Sequence, residues 1–199
     1  MYRLYVFFAF GVLLAACKPK VTSENPQQTA SSQPSATKSE TTESKFPDDW
    51  IGTWIGELGI YRGTKKLQSV PMEMVIEAAD TIGRYTWTTT YLGKDTIVKP
   101  YELQTLNEEN GQYLIDEKNT IKIETYLFDK KLVSWYDVQG TMILASHELR
   151  NGQLLFEIIA GQSKEVSTTG GTTFEGEEIP PVRTFPITTT QQATLSRKK

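Results

Sequence analysis

From about residue 48 onward, hydrophobic residues recur at every second position, a period that predicts β-strands. Along Val70, Met72, Met74 and Ile76 one face is apolar, while the intervening Glu73 and Glu77 are charged, which fits a strand with one buried and one wet face. Tyr85, Trp87, Thr89 and Tyr91 alternate with Arg84, Thr86, Thr88 and Thr90, and Ile121, Ile123 and Leu127 alternate with Lys122 and Glu124. Turn signals separate the runs: Asn110-Gly111 and Asn151-Gly152 suit type I′ hairpins, and Gly93-Lys94-Asp95 and Asp129-Lys130 read similarly. The pattern predicts strands over 51–61, 67–77, 82–92, 97–106, 111–116, 119–128, 131–138, 140–149, 152–160 and, in one or two pieces, 182–196. No window carries an apolar stripe at helical period over three turns. The fold class is therefore an all-β antiparallel meander.

A meander of this length must protect its edges, and closure into an up-and-down barrel of about eight to ten strands does so most simply. A two-sheet sandwich is the alternative, but the mostly short connections favour the barrel. Residues 161–181 form a long polar stretch with Gly170-Gly171 and Glu175-Gly176-Glu177-Glu178, readable as a flap at one mouth, an idle insertion or a further short hairpin.

The first strand contains Gly52-Thr53-Trp54, and this resembles the Gly-x-Trp with which lipocalin-like (calycin) barrels begin. The resemblance implies that Trp54 closes the base of the barrel beneath an arginine from near the chain end. Arg197 is the first candidate and Arg183 the second. A guanidinium over an indole gains roughly 0.5–2 kcal/mol. The Thr-Asp-Tyr motif of typical lipocalins is missing, with Tyr136-Asp137 a faint echo, so a fatty-acid-binding-like or nitrobindin-like barrel of ten strands is as compatible as one of eight.

The N-terminal segment has a different character. Arg3 precedes a run from Leu4 to Leu14 that is apolar apart from Tyr5 and Gly11, the layout of a secretory signal and too short to span a bilayer. It closes on Leu14-Ala15-Ala16-Cys17, which resembles the lipobox of bacterial lipoproteins. That resemblance implies cleavage before Cys17, lipid on its sulfur and acylation of the new amino group. Residues 1–16 are thus expected to be a signal peptide and 17–47 a lipidated cysteine with a disordered linker, followed by a barrel domain over 48–199. Lys18 in place of Asp implies the outer membrane of a bacterial cell envelope. The linker is built of Ser, Thr, Gln, Pro, Glu and Lys and cannot bury enough surface to order itself. As a coil of about 28 residues it would reach roughly 30 Å.

The chain has 21 basic and 24 acidic residues, and loss of Arg3 with the signal leaves a mildly acidic protein. Without a basic stripe, nucleic acid is not an expected partner. Cys17 is the only cysteine, so no intramolecular disulfide forms and the domain must rely on its core.

Chemistry-bearing residues are few. One histidine and no cysteine beyond Cys17 leave no His-rich metal site and no Cys-His catalysis, and no nucleophile elbow or phosphate loop occurs. We expect no enzyme. His147 shares the parity of Ile143 and Ala145. In nitrobindin-like barrels a histidine ligates haem, a role open to His147 if it points inward. With no other haem signature, a wall or rim histidine is the expectation. Met74, Trp87, Tyr91, Trp135 and His147 are the candidates for lining a cavity, because aromatics combine apolar area with a polar group. The functional expectation is a membrane-anchored binding protein for a small apolar or amphipathic ligand. A structural or protein-interaction module of the envelope is the alternative.

Overall fold

The computed structural model describes residues 45–199; the expected signal, Cys17 and most of the linker lie outside the described residues. A short 3-10 helix, Asp48–Trp50, leads into β1 (Gly52–Arg62). Then follow β2 (Lys65–Ala78), β3 (Arg84–Leu92), β4 (Thr96–Asn107), β5 (Gln112–Asp116), β6 (Lys122–Phe128), β7 (Lys131–Val138), β8 (Thr141–Arg150) and β9 (Gln153–Gln162). After an arm built from β10 (Ser167–Thr169), β11 (Thr172–Phe174), β12 (Glu177–Ile179) and β13 (Val182–Thr184), the chain ends in β14 (Ile187–Arg197).

Ten strands close into one antiparallel barrel in the order β1-β14-β9-β8-β7-β6-β5-β4-β3-β2. The sandwich is excluded because β1 pairs on both sides, with β2 (Leu58 opposite Val70) and with β14 (Leu58 opposite Ala193). Closure removes both open edges. Turn chemistry explains the tight connections. Asn151-Gly152 has φ of 53° and 73°, as a type I′ turn requires, and Gln139-Gly140 between β7 and β8 does the same at 52° and 82°. Asn110-Gly111 is not such a pair: the loop after β4 is longer, with the Asn107 side chain accepting from the Asn110 N–H at 3.1 Å.

The 161–181 stretch is an exposed nested hairpin. β10 pairs with β13 and β11 with β12, around a Glu175-Gly176 turn with φ of 51° and 87°. Gly170-Gly171 opposite Pro180-Pro181 divides the two ladders, since the prolines supply no N–H to carry the ladder through.

Cross-strand register assigns the faces. Trp54 and Leu58 point inward with Met72, Met74 and Ile76 of β2 and Trp87 of β3, all at most 2% exposed. At the base Arg197 stands opposite Trp54, its guanidinium carbon 4.3 Å from the indole centroid. Its Nη2 donates to the Asp49 carbonyl at 2.9 Å and its Nη1 to the Ile51 carbonyl. A Cβ at residue 52, where φ is 142°, would collide with that guanidinium, so glycine is what permits the approach. The structure thus brings Gly52, Trp54 and Arg197 together. Arg183 is elsewhere: it lies on the arm, over the Phe185 ring at 5.8 Å and 3.6 Å from Glu165.

Trp54→Ala should cost about 3–5 kcal/mol of stability because it empties the base of the core. Arg197→Met should cost about 1–2 kcal/mol. Urea unfolding midpoints check both, and the loss for Trp54 must exceed that for Arg197.

Candidate functional site

The barrel interior has two unlike halves. Around the base end, Trp54, Met74, Ile76, Trp87, Leu103, Tyr113, Leu132, Leu154 and Leu195 are sealed, and Trp50 plugs the floor beneath them. Trp50 stacks on Trp87 at 6.1 Å, while Phe46 meets Trp50 at 4.8 Å and Tyr113 at 4.9 Å, both edge-on. The Trp54 indole N–H donates to the Trp50 carbonyl at 2.8 Å. Met74 at 0% exposure and Trp87 at 2% therefore form the floor of the lumen rather than its lining. Both were expected to face a ligand. Alternation identifies the inward face but not the depth at which a residue sits on it.

Toward the other mouth three tyrosines stand among smaller inward residues. Tyr136 stands opposite Ile143, Ser134 opposite Ala145, Ala145 opposite Ile158 and Ile143 opposite Ala160, so these share one face with Tyr91 of β3 and Tyr101 of β4. Tyr91, Tyr101, Tyr136, Ile143, Ala145, Ile158 and Ala160 are only half-buried, and beside Tyr136 the wall itself parts, since β6 and β7 pair only over Tyr126–Phe128 and Lys131–Val133. Ser134 is buried, whereas the small side chains Ala145 and Ala160 sit among these half-buried aromatic and aliphatic residues; this upper part of the lumen is called the cup below.

Burial controls the chemistry of the cup. Desolvation, with a smaller contribution from Tyr136, pushes the Tyr91 hydroxyl up to about 12. Tyr101 is raised first by desolvation and then by the nearby Glu117 carboxylate, and Tyr136 by the same two causes. All three hydroxyls stay protonated through the physiological range and can donate.

His147 points inward at the boundary between floor and cup, opposite Leu132 and Phe156. Its ring lies edge-on to Trp87 at 5.2 Å and to Phe156 at 5.1 Å. Desolvation lowers its pKa to about 4, so the imidazole is neutral. Among the described residues no protein group hydrogen-bonds it, yet its nitrogens are not sealed, which leaves them facing the lumen. A neutral imidazole is competent as a haem ligand. A porphyrin, however, needs a broad open face beside the ring, and Trp87 and Phe156 occupy its flanks just above the sealed floor. The residues present do not fit haem. Among the described residues no group of three or more His, Cys, Asp and Glu side chains is placed to hold a metal.

Trp135 departs from expectation most clearly. It is 73% exposed and lies on the outer wall, because Leu132, Ser134 and Tyr136 take the inward positions of β7. There it borders an apolar groove of about 230 Å³ with Met142, Leu144, Ile159, Phe185 and Ile187.

With this geometry in view, comparison with known proteins is informative about fold alone. No family model and no curated relative matches the chain. Among solved structures, a protein of unknown function from the DUF3598 family of Nostoc punctiforme PCC 73102 is similar over 76% of this chain and 48% of its own, at 15% identity and a TM-score of 0.50. The chain spans about half the length of that structure. The S-type phycobiliprotein lyase CPES from Guillardia theta is similar over 75% and 88% of the two chains, at 12% identity and a TM-score of 0.48. The chain is a ten-stranded barrel resembling calycin-like folds.

Sequence reasoning missed Tyr101, Tyr136, Ala145 and the outer groove. The signal for Tyr136 was its parity with Leu132 and Ser134, masked by apolar residues on both faces of the run 131–138.

His147 has a folded pKa below its unfolded value of about 6.5, so the unfolded chain binds the extra proton. The stability this residue contributes is present above about 6.5 and is lost as pH falls toward 4. Wild type should therefore lose more stability across that window than His147→Gln does, measured by urea unfolding at stepped pH. Parallel curves would contradict the buried neutral imidazole.

Proposed function

We propose that this protein binds a small apolar or amphipathic molecule in the cup above the His147–Trp87 floor and performs no reaction on it. The observation that carries this reading is the half-buried state of inward residues, Tyr91, Tyr136, Ile143, Ala145 and Ile158, within a closed wall. Ile143, Ala145 and Ile158 carry most weight here, because β8 pairs with β7 from Thr141 to Glu148 and with β9 from Thr141 to Arg150, whereas Tyr136 lies where β6 and β7 no longer pair. Three protonated tyrosine hydroxyls supply the sparse, fixed polar contacts typical of a small-molecule site. The general capacity of calycin-like barrels to hold ligands agrees with it.

We further propose that the barrel works at a bacterial membrane, held through lipid on Cys17, with Lys18 in place of Asp favouring the outer membrane. The support is the signal-like run to Leu14 and the Leu14-Ala15-Ala16-Cys17 sequence. Two acyl signals make such anchoring stable where one is marginal. A second reading, a protein-interaction module, draws on the apolar outer groove around Trp135.

The neutral fluorophore N-phenyl-1-naphthylamine brightens in apolar sites and separates the two readings. Ala145→Phe, which fills the cup, should weaken its binding about tenfold or more, while Trp135→Ala on the outer wall should leave it unchanged. The reverse result would move the site to the groove. Circular dichroism confirms that each variant is folded. For the anchor, Cys17→Ser should shift the protein from the membrane fraction to the soluble fraction of its own cells, and an unchanged distribution would remove the lipid from the account.

A further inference from the structure

Lys99 is an inward-facing lysine at the open end of the cup. On β4 it has the parity of Tyr101 and Leu103, and its cross-strand partner on β3 is Thr89, which is buried, with 6% exposure. It is half-buried, two positions from Tyr101 on the same face, and among the described residues no carboxylate comes within ion-pairing distance of it. The carboxylate nearest in kind is already occupied: Glu117, also at the cup, receives the Asn119 side-chain amide at 3.1 Å. The cup's acid is partnered and its base is not.

One turn of the surrounding rim has the same sign: the turn joining β1 to β2 carries Arg62, Lys65 and Lys66 with no acid between 62 and 66, while other turns at this mouth mix signs, with Lys94 beside Asp95, and Asp116 and Glu117 beside Lys118. Of these, Lys66 reaches outward to Glu57 at 3.3 Å. A lysine lays its alkyl stem along apolar surface and carries its ammonium toward water. From Lys99 that places the charge at the mouth, where an amphiphile inserted tail-first would leave its head.

Building on the cup reading, we propose that Lys99 selects ligands whose polar end is anionic, such as a carboxylate, sulfonate or phosphate ester, and pairs with that end at the mouth. The Tyr91, Tyr101 and Tyr136 hydroxyls then serve as neutral donors below it, and the apolar body of the ligand lies between Ile143, Ala145 and Ile158.

Two probes sharing one ring system test this on the mature chain: N-phenyl-1-naphthylamine, which is neutral, and 1-anilinonaphthalene-8-sulfonate, which adds an anion. Lys99→Met should weaken the sulfonate at least about fivefold and leave the neutral probe unchanged, the loss of one partly exposed ion pair. Lys99→Arg should retain sulfonate binding, and Lys66→Met, on the outer face, should alter neither probe. Equal weakening of both probes by Lys99→Met would mean that only the stem matters and would overturn the proposal, as would unchanged sulfonate binding. Lys99→Gln provides the same comparison if the methionine variant does not fold. Should the neutral probe ignore Ala145→Phe, the cup reading fails and takes this one with it; should it respond while Lys99 does not discriminate, only the head-group assignment falls.

Discussion

The ladder between β1 and β14, running from Trp54 opposite Arg197 to Tyr61 opposite Thr190, joins the last strand to the first, and the rest of the molecule depends on that closure. Without it β1 and β14 would be free edges, and a meander with free edges has neither a protected sheet nor an interior. Arg197 does more than stack. By donating to the carbonyls of Asp49 and Ile51 it also fixes the segment that carries Trp50 under the base. Gly52 is the condition for this arrangement, since a side chain there would displace the guanidinium.

Closure at one end allows the two ends to differ. Large side chains, among them Trp50, Trp54, Trp87 and Tyr113, are concentrated at the base, where burial of each is worth several kcal/mol. Small residues such as Ala145 and Ala160 take equivalent inward positions near the mouth. Stability is thus supplied at the base and room at the mouth. His147 marks the boundary, its ring against Trp87 below and its nitrogens toward the lumen.

The strands and their closure were legible because the period-two pattern is strong wherever one face is wet, as in β2, where Glu73 and Glu77 separate Met72, Met74 and Ile76. The pattern failed to assign faces where both are apolar. In β7 Val133 and Trp135 compete with Leu132 and Tyr136, and in β8 Met142 and Leu144 compete with Ile143 and Ala145. The outer groove is the reason both faces read alike there: Trp135, Met142 and Leu144 line it. Depth was illegible for a different reason. Met74 and Tyr91 both face inward, yet one is sealed in the floor and the other lines the cup, and that distinction depends on strand tilt and on the Trp50 plug, which local sequence does not encode. Lys99 was hidden because a lone lysine within a strand ordinarily reads as a solvent-facing position.

The central claim is that the open volume lies inside the wall, and adjacent methyl groups of opposite parity report on it directly. Ile158 faces the lumen and Ile159 the outer groove. Intermolecular nuclear Overhauser effects from bound N-phenyl-1-naphthylamine to isoleucine methyls of the protein should appear at Ile143 and Ile158 and be absent at Ile159. Contacts confined to Ile159 would place the ligand on the outer wall and contradict the account.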